Sequence, residues 1–335
     1  MAQPTPPVRI IDVAALAGVA PSTVSKALNN TGALRDDTRL RVREAAERLG
    51  FVPDAGARSL AGRRSYTVGL LSTDSAGRFS LPVVLGAENA LIGGQLSALL
   101  ATARHDAVRE AHHIRAFVAR RVDGIIVTGR VTDPRPPIEV PMPVVYAFAP
   151  SSDPADASVV PDDAAGIGQV VAHLHSFGRR RAAHVTGPSG HHAARVRLEA
   201  LVTALAEREM ALMGEPMFGE WSERWGRVAV DRLLDRGAEP DAIVFGSDQL
   251  ARGGADRLRE RGVRVPQDVA ITGYDNWEVM AEASRPPLTT VDMDLERLGQ
   301  RAAELLLRAI AGEPASGVEL MPPRLVVRES TIGDG

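Results

Sequence analysis

Between residues 10 and 50 the apolar positions fall at helical spacing and are interrupted by glycines. Ile11 to Ala17 places Val13 and Leu16 three apart, with Ala14 and Ala17 small enough for close contacts. Gly18 stops this helix, because glycine takes the left-handed cap geometry without a Cβ clash. Val19 and Ala20 make a tight turn. Pro21 then opens a second helix to Leu28, at a position where its missing N–H would have had no partner anyway. Val24, Ala27 and Leu28 can face inward, which leaves Ser22, Thr23, Ser25 and Lys26 outward. A third helix is expected from Asp36 or Asp37 to Leu49, with an acidic first turn, a stripe of Leu40, Val42, Ala45, Ala46 and Leu49, and Gly50 as its stop. Two short helices joined by a glycine-containing turn predict a helix-turn-helix, although an ordinary helical hairpin fits the same pattern.

Residues 61–65 are small, polar and basic, and they mark a boundary between residues 1–65 and residues 66–335. Beyond it the pattern changes to short apolar runs at 66–71, 96–101, 124–128, 144–148, 157–160, 182–186, 242–245 and 269–273. Continuous apolar runs of this length suit parallel strands covered on both faces. Helical patterns at 106–121, 164–177, 192–209, 223–236, 248–261 and 295–311 lie between most of them. Alternating strands and helices predict a doubly wound α/β body. It is too long for one sheet, so two similar lobes are expected, split near residue 160.

The chain has 335 residues and a net charge of −3, which argues against a wholly basic protein. The average hides an asymmetry. Residues 1–65 hold ten Lys/Arg against six Asp/Glu, and the rest holds 29 against 36. A basic head on an acidic body suggests that the head meets a polyanion and the body does not. The hydroxyl-rich face of the second helix strengthens this, since short hydroxyls can bond phosphates and bases, and Lys26 can reach a guanine edge. There is no cysteine, which excludes a disulfide framework, a thiolate metal site and a cysteine nucleophile. No signal peptide is read at the start and no apolar run suits a membrane span, so a cytoplasmic protein with no membrane partner is expected.

The run from Asp12 to Asn29, DVAALAGVAPSTVSKALN, closely resembles the head of the lactose-repressor/galactose-repressor (LacI) family of bacterial transcription regulators. So do Ala45-Ala46-Glu47-Arg48-Leu49-Gly50-Phe51-Val52-Pro53 and Ala57-Arg58-Ser59-Leu60. By that resemblance Pro21, Ser22 and Lys26 occupy base-reading positions, and Thr23, Ser25 and Asn29 occupy phosphate-contacting ones. Leu60 occupies the hinge position that wedges into the minor groove. Ala20 departs from the usual serine cap, a loss of ~1 kcal/mol. Asp54 and Gly56 stand where a hinge helix usually has Asn and a better helix former. The resemblance further implies a two-lobed periplasmic-binding-protein-like body whose chain crosses between lobes three times, the last time near 287–293.

In such sheets a ligand sits beyond the carboxyl ends of the strands. Polar residues stand there: Thr73 and Asp74, Asp162 and Asp163, Ser247 and Asp248, Asp275 and Asn276. Carboxylates and arginine serve hydroxyl groups, and a flat aromatic covers the apolar face of a sugar ring. The resemblance matches Arg197, Trp221, Ser247 and Asp275 to effector-contacting positions and puts Phe79 near the cleft. Ala149 stands where some sugar-binding members have an acid. Asp163 and Asp248 also suit plain helix caps. The histidine pairs 112–113, 173–175 and 191–192 lack metal-binding spacing and read as structural or solvent-exposed. Neither a cofactor nor a metal is expected, and no Gly-x-Ser-x-Gly elbow or phosphate-binding loop is present.

The expectation is a homodimeric, sequence-specific DNA-binding regulator of repressor type, not an enzyme. Its affinity for double-stranded operator DNA would be set by a small molecule, expected to be a sugar, held between the lobes. Helix faces carrying Leu85 and Leu91 are candidates for the dimer surface. A corepressor-dependent regulator sensing a non-sugar metabolite uses the same parts. A transporter's solute-binding protein would share the body and lack the basic head. No leucine-heptad tail follows Thr331, so a dimer is expected over a tetramer.

Overall fold

The computed structural model describes residues 8–28, 32–51, 64–74, 77–237 and 239–332. The chain divides into two compact units, Met1–Tyr66 and Thr67–Gly335. Asn29, Leu60, Asp54 and Gly56, and with them the expected hinge helix, lie outside the described residues.

In the first unit α1 (Ile10–Ala17), α2 (Pro21–Leu28) and α3 (Asp36–Leu49) close on one small core. Val13, Ala14, Ala17, Val24, Ala27, Val42, Ala45 and Ala46 fill it. Alanine dominates because three short helices can approach closely only over small side chains. Gly18 and Gly50 take φ of +65° and +62° and end α1 and α3 as left-handed caps. Asp12 accepts the backbone N–H of Arg9 at 2.7 Å, so the start of α1 is tied. Two expected core leucines differ: Leu16 and Leu40 are exposed. Alanines at the flanking positions already fill the contact.

The second unit holds two lobes, each built on a parallel sheet, with one antiparallel edge pair, Thr289–Asp292 with Arg324–Val326, in lobe 2. Lobe 1 orders its strands as β12 (Gly317–Met321), β5 (Ala157–Pro161), β4 (Val144–Ala147), β3 (Gly124–Thr128), β1 (Thr67–Ser72) and β2 (Ser97–Thr102), with all neighbours parallel. Helices α4 (Ser80–Gly93), α5 (Ala107–Ala119) and α11 (Leu295–Ile310) cover it. Lobe 2 orders β13 (Arg324–Val326), β11 (Thr289–Asp292), β10 (Ala270–Tyr274), β9 (Ala242–Phe245), β6 (Arg181–Thr186) and β7 (Ala211–Leu212), and β8 (Met217–Phe218) also pairs with β6. Helices α6 (Asp163–Ser176), α7 (His192–Ala206), α8 (Glu223–Asp235) and α9 (Asp248–Glu260) cover this sheet, and α10 (Glu278–Ala281) and α12 (Glu329–Ile332) are single turns.

Strand order and helix placement give three crossings between lobes, between β5 and α6, between β11 and α11, and between β12 and β13. The expected crossing at 287–293 is the second, and the last falls at Pro322-Pro323. The difference arises because β12 and β13 were not foreseen as strands. Helices α4 and α11 pack backbone to backbone: a Cβ on Gly86 would meet the Glu296 carbonyl, and one on Gly299 the Val83 carbonyl. Among the described residues, no single helix is long and apolar enough to cross a membrane.

Candidate functional site

In the first unit α1 and α2 meet at 98°, within the roughly 90–120° of a helix-turn-helix. Val24 and Ala27 are fully buried, which fixes the rotation of α2 about its axis. Pro21, Ser22 and Lys26 are therefore exposed on its outer side, while Thr23 and Ser25 are half-buried at its margin. A row of short polar groups and one lysine at the first turns of an exposed helix has the composition of a major-groove reading surface.

In the second unit a cleft of about 450 Å³ lies at the strand ends between the lobes. Of the expected residues, Asp74, Phe79, Arg197, Trp221, Ser247 and Asp275 line it. Thr73 does not. Its N–H bonds to the Thr128 carbonyl, and its hydroxyl lies 2.5 Å from where a Cβ on Gly129 would be. Phe148, rather than Ala149, closes the lobe 1 wall and stacks on Phe79 at 5.2 Å between centroids.

Arg197 is the buried centre of the lobe 2 side. Its Nε donates to Asp163 at 3.1 Å, and Nη1 donates to the Gly246 carbonyl at 2.7 Å. Its guanidinium lies 3.6 Å from the centroid of the Tyr274 ring. The Asp275 carboxylate stands 3.8 Å from Nη1 and is 4% exposed. Asp275 holds φ at +107° and Phe148 holds +75°, backbone conformations that side chains rarely adopt. Such strain costs about 1–3 kcal/mol per residue and persists where a site dictates the direction of a side chain.

The two candidate helix caps are displaced by one residue each. Asp162, not Asp163, accepts the Ala165 N–H at the start of α6. Ser247, not Asp248, accepts the Leu250 N–H at the start of α9. This frees Asp163 for Arg197 and turns Asp248 inward, where it accepts the Trp277 N–H at 2.6 Å and the Thr290 hydroxyl. Burial, followed by the charge of Asp275, pushes Asp248 up to about 8. Asp275 is also raised, first by burial, against the opposing pull of Arg78 and Arg197.

Residues that the sequence reading did not single out join the lobes. Arg78 donates Nη2 to Asp275 at 2.8 Å across the cleft. Asp133 accepts the His192 N–H at 3.0 Å. His191, expected to be structural or exposed, lines the cleft, and its Nδ1 accepts the Trp221 indole N–H at 2.9 Å. That bond fixes the indole edge and leaves the ring as one wall. Among the described residues, no group of three or more His, Asp or Glu is placed to hold a metal ion. The cleft thus offers paired charges and aromatic walls, suited to binding a small polar molecule.

A helix-turn-helix unit joined to a two-lobed binding body defines a ligand-responsive DNA-binding regulator. Residues 9–54 match bacterial regulatory proteins of the lacI family, and residues 171–331 match the periplasmic binding protein-like domain. The HTH-type transcriptional regulator CelR of Thermobifida fusca is 36% identical over 334 residues, covering 95% of this chain and 96% of CelR. The HTH-type transcriptional repressor PurR of Aliivibrio fischeri is 30% identical over 333 residues, covering 96% and 98%. The lac repressor dimer bound to operator and the anti-inducer ONPF superposes with a TM-score of 0.77 at 26% identity, covering 98% of this chain and 100% of that one. A complex of CelR with cellobiose gives 0.66 at 30% identity, covering 96% and 99%. The chain belongs to the LacI family of bacterial transcriptional regulators. It is a DNA-binding, effector-responsive repressor-type regulator and not an enzyme.

Proposed function

We propose that residues 1–65 hold operator DNA and that residues 66–335 sense a sugar in the interlobe cleft and pair with a second copy of the chain. The observation that carries the sugar reading is the Arg197–Asp275–Arg78 chain of charges beside the aromatic walls of Trp221 and Phe79. Hydroxyl groups can bond to such alternating donors and acceptors, and the aromatic rings cover their carbon faces. A relative that forms a complex with cellobiose supports it. Pro21, Ser22 and Lys26 read bases in this proposal, Thr23, Ser25 and Asn29 hold phosphates, and Leu60 wedges the minor groove. Asp74, Phe79, Arg197, Trp221, Ser247 and Asp275 contact the effector.

The dimer surface rests on α4, where Leu81, Leu85 and Ile92 are exposed, and on Leu100 of the edge strand β2. Leu91 is fully buried in the lobe 1 core and drops out of the candidates. The protein works in the cytoplasm, where the DNA of a bacterium lies. Selection from random oligonucleotides, followed by gel shift with and without a panel of sugars, tests the whole reading. One enriched palindromic site, released by one sugar, is the expected result. No enriched site would overturn the DNA role, and an enriched site that no sugar releases would overturn the sugar role.

A further inference from the structure

Of the 39 lysines and arginines in the chain, one is a lysine. It is Lys26, exposed on the outer side of α2 among the residues proposed to read bases. Every other basic side chain of this kind is a guanidinium, which stays protonated and does not act as an amine nucleophile. Chemistry directed at a side-chain amine therefore has a single address in this protein, and that address lies in the surface proposed for DNA.

The surroundings of Lys26 suit such chemistry. Gly32 holds φ at +69°, and a Cβ on it would lie 3.4 Å from Cδ and 3.9 Å from Cε of Lys26. The lysine stem thus runs along bare backbone. Arg39 donates Nη2 to the Gly32 carbonyl at 2.8 Å, so a second positive group stands at the same glycine. A phosphate-bearing reagent is drawn to two such charges. Among the described residues Lys26 forms no ion pair, so no carboxylate has to let go of it first.

We propose that Lys26 is an acylation site and that its modification lowers the affinity for operator. This rests on the DNA reading above and adds a second input to it. The donor is an activated acyl group, carried as a thioester or as an acyl phosphate. The neutral amine of Lys26 attacks the acyl carbon. A C–N bond forms as the C–S or C–O bond breaks, and the thiol or phosphate that leaves takes up the proton lost by the nitrogen. The product is an uncharged amide with one N–H in place of the three donors of the ammonium. It has lost its attraction to DNA and most of its capacity to bond a guanine edge. Operator and acyl donor compete for the same nitrogen. On DNA the amine is covered, and a regulator released by its effector exposes it. Acylation then keeps the protein off DNA after the effector has gone.

The test incubates the full chain with acetyl-CoA or with acetyl phosphate, with and without saturating operator from the selection above, followed by trypsin digestion and mass spectrometry. Trypsin does not cut after an acetylated lysine, so fragments 10–26 and 27–35 stay joined, which separates this site from the terminal amine. At least one donor should modify Lys26, operator should slow the reaction, and the donor that works names the source. In gel shift the acetylated chain should bind operator about tenfold more weakly with a shallower salt dependence, and a lysine deacetylase should restore it. Lys26→Arg keeps a cation that neither donor acylates, and the same treatment should leave its operator binding unchanged. An unmodified Lys26, equal rates with and without operator, or an acetylated chain that holds operator as tightly as the untreated one would overturn the inference and leave the DNA role standing. An equal loss in treated Lys26→Arg would move the effect to another group and overturn it too. No enriched operator would overturn both.

Discussion

Asp133 of lobe 1 caps a helix of lobe 2: its carboxylate accepts the N–H of His192, the first residue of α7, at 3.0 Å. The cap position of α7 itself is His191, whose side chain makes no cap bond. The helix therefore obtains its terminal acceptor from the opposite lobe, and only while the lobes stand together. A carboxylate there also meets the positive end of the helix. Removing such a cap costs about 0.5–2 kcal/mol. Since the bond favours the closed arrangement, that loss is charged against ligand binding. Asp133→Ala should weaken effector affinity about fivefold, for a loss of about 1 kcal/mol. Titration calorimetry measures it, and an unchanged dissociation constant would show that this cap does not couple to closure.

The pH dependence of stability should carry the mark of Asp248. Its folded-state value, about 8, lies above the ordinary 3.8. Between those values the folded protein holds a proton that the unfolded chain releases. Through this group, stability is greatest below about pH 4 and declines as pH rises toward 8. Asp248→Asn keeps the shape and removes the titration. Thermal melts should place the variant above wild type at pH 8, with the gap closing toward pH 5. Parallel curves over that range would contradict a buried neutral carboxyl at this position.

Arg197 stands in the low-dielectric floor of the cleft with Asp163 and Asp275 for partners. Deleting it leaves buried Asp163 without its cation and Asp275 with Arg78 alone. Breaking a buried pair in this way costs about 3–5 kcal/mol, more than the pair itself is worth. Arg197→Ala should therefore lower the urea midpoint by that equivalent and abolish the effector response. Asp163→Asn combined with Arg197→Met removes both charges together and should recover part of the stability. If the double variant is as unstable as Arg197→Ala, the penalty comes from lost packing instead.

Which of these residues the sequence disclosed follows from where they sit. Arg197, Ser247 and Asp275 stand at strand ends or on a periodic helix, where an α/β pattern fixes their direction. Arg78 and Asp133 lie in connecting segments with no period, and their partners are 197 and 59 residues away, so nothing local announces the contact. Asp163 and Asp248 were legible as strand-end carboxylates, but a cap at the neighbouring residue inverted their roles. Helix α4 escaped the pattern because it is apolar on two sides. Val83, Ala87 and Leu91 face the core, while Leu81, Leu85 and Ile92 are exposed. Strand β11 escaped because buried threonines, Thr289 and Thr290, replace the usual aliphatic run. In the head, by contrast, Gly18, Pro21 and Gly50 mark the end of α1, the start of α2 and the end of α3, so all three helices were legible even though Leu16 and Leu40 proved exposed.

That head supplies a prediction independent of the cleft. Lys26 is exposed on α2, one residue before buried Ala27 and two after buried Val24, so its direction is set by the core and not by chance. A lysine there can give a hydrogen bond to guanine O6 or N7, whereas phosphate contacts alone carry no sequence information. Lys26→Ala should cost ~1–3 kcal/mol on the selected operator and relax the base requirement at one position in each half-site. Binding to random DNA should fall far less. Thr23 and Ser25, proposed to hold phosphates, should act otherwise: Thr23→Ala or Ser25→Ala should weaken binding on all sequences alike. Operator variants scored by gel shift at fixed salt separate the two classes, because the phosphate contribution shifts with ionic strength. An equal loss on operator and random DNA for Lys26→Ala would move that lysine from reading bases to holding the backbone.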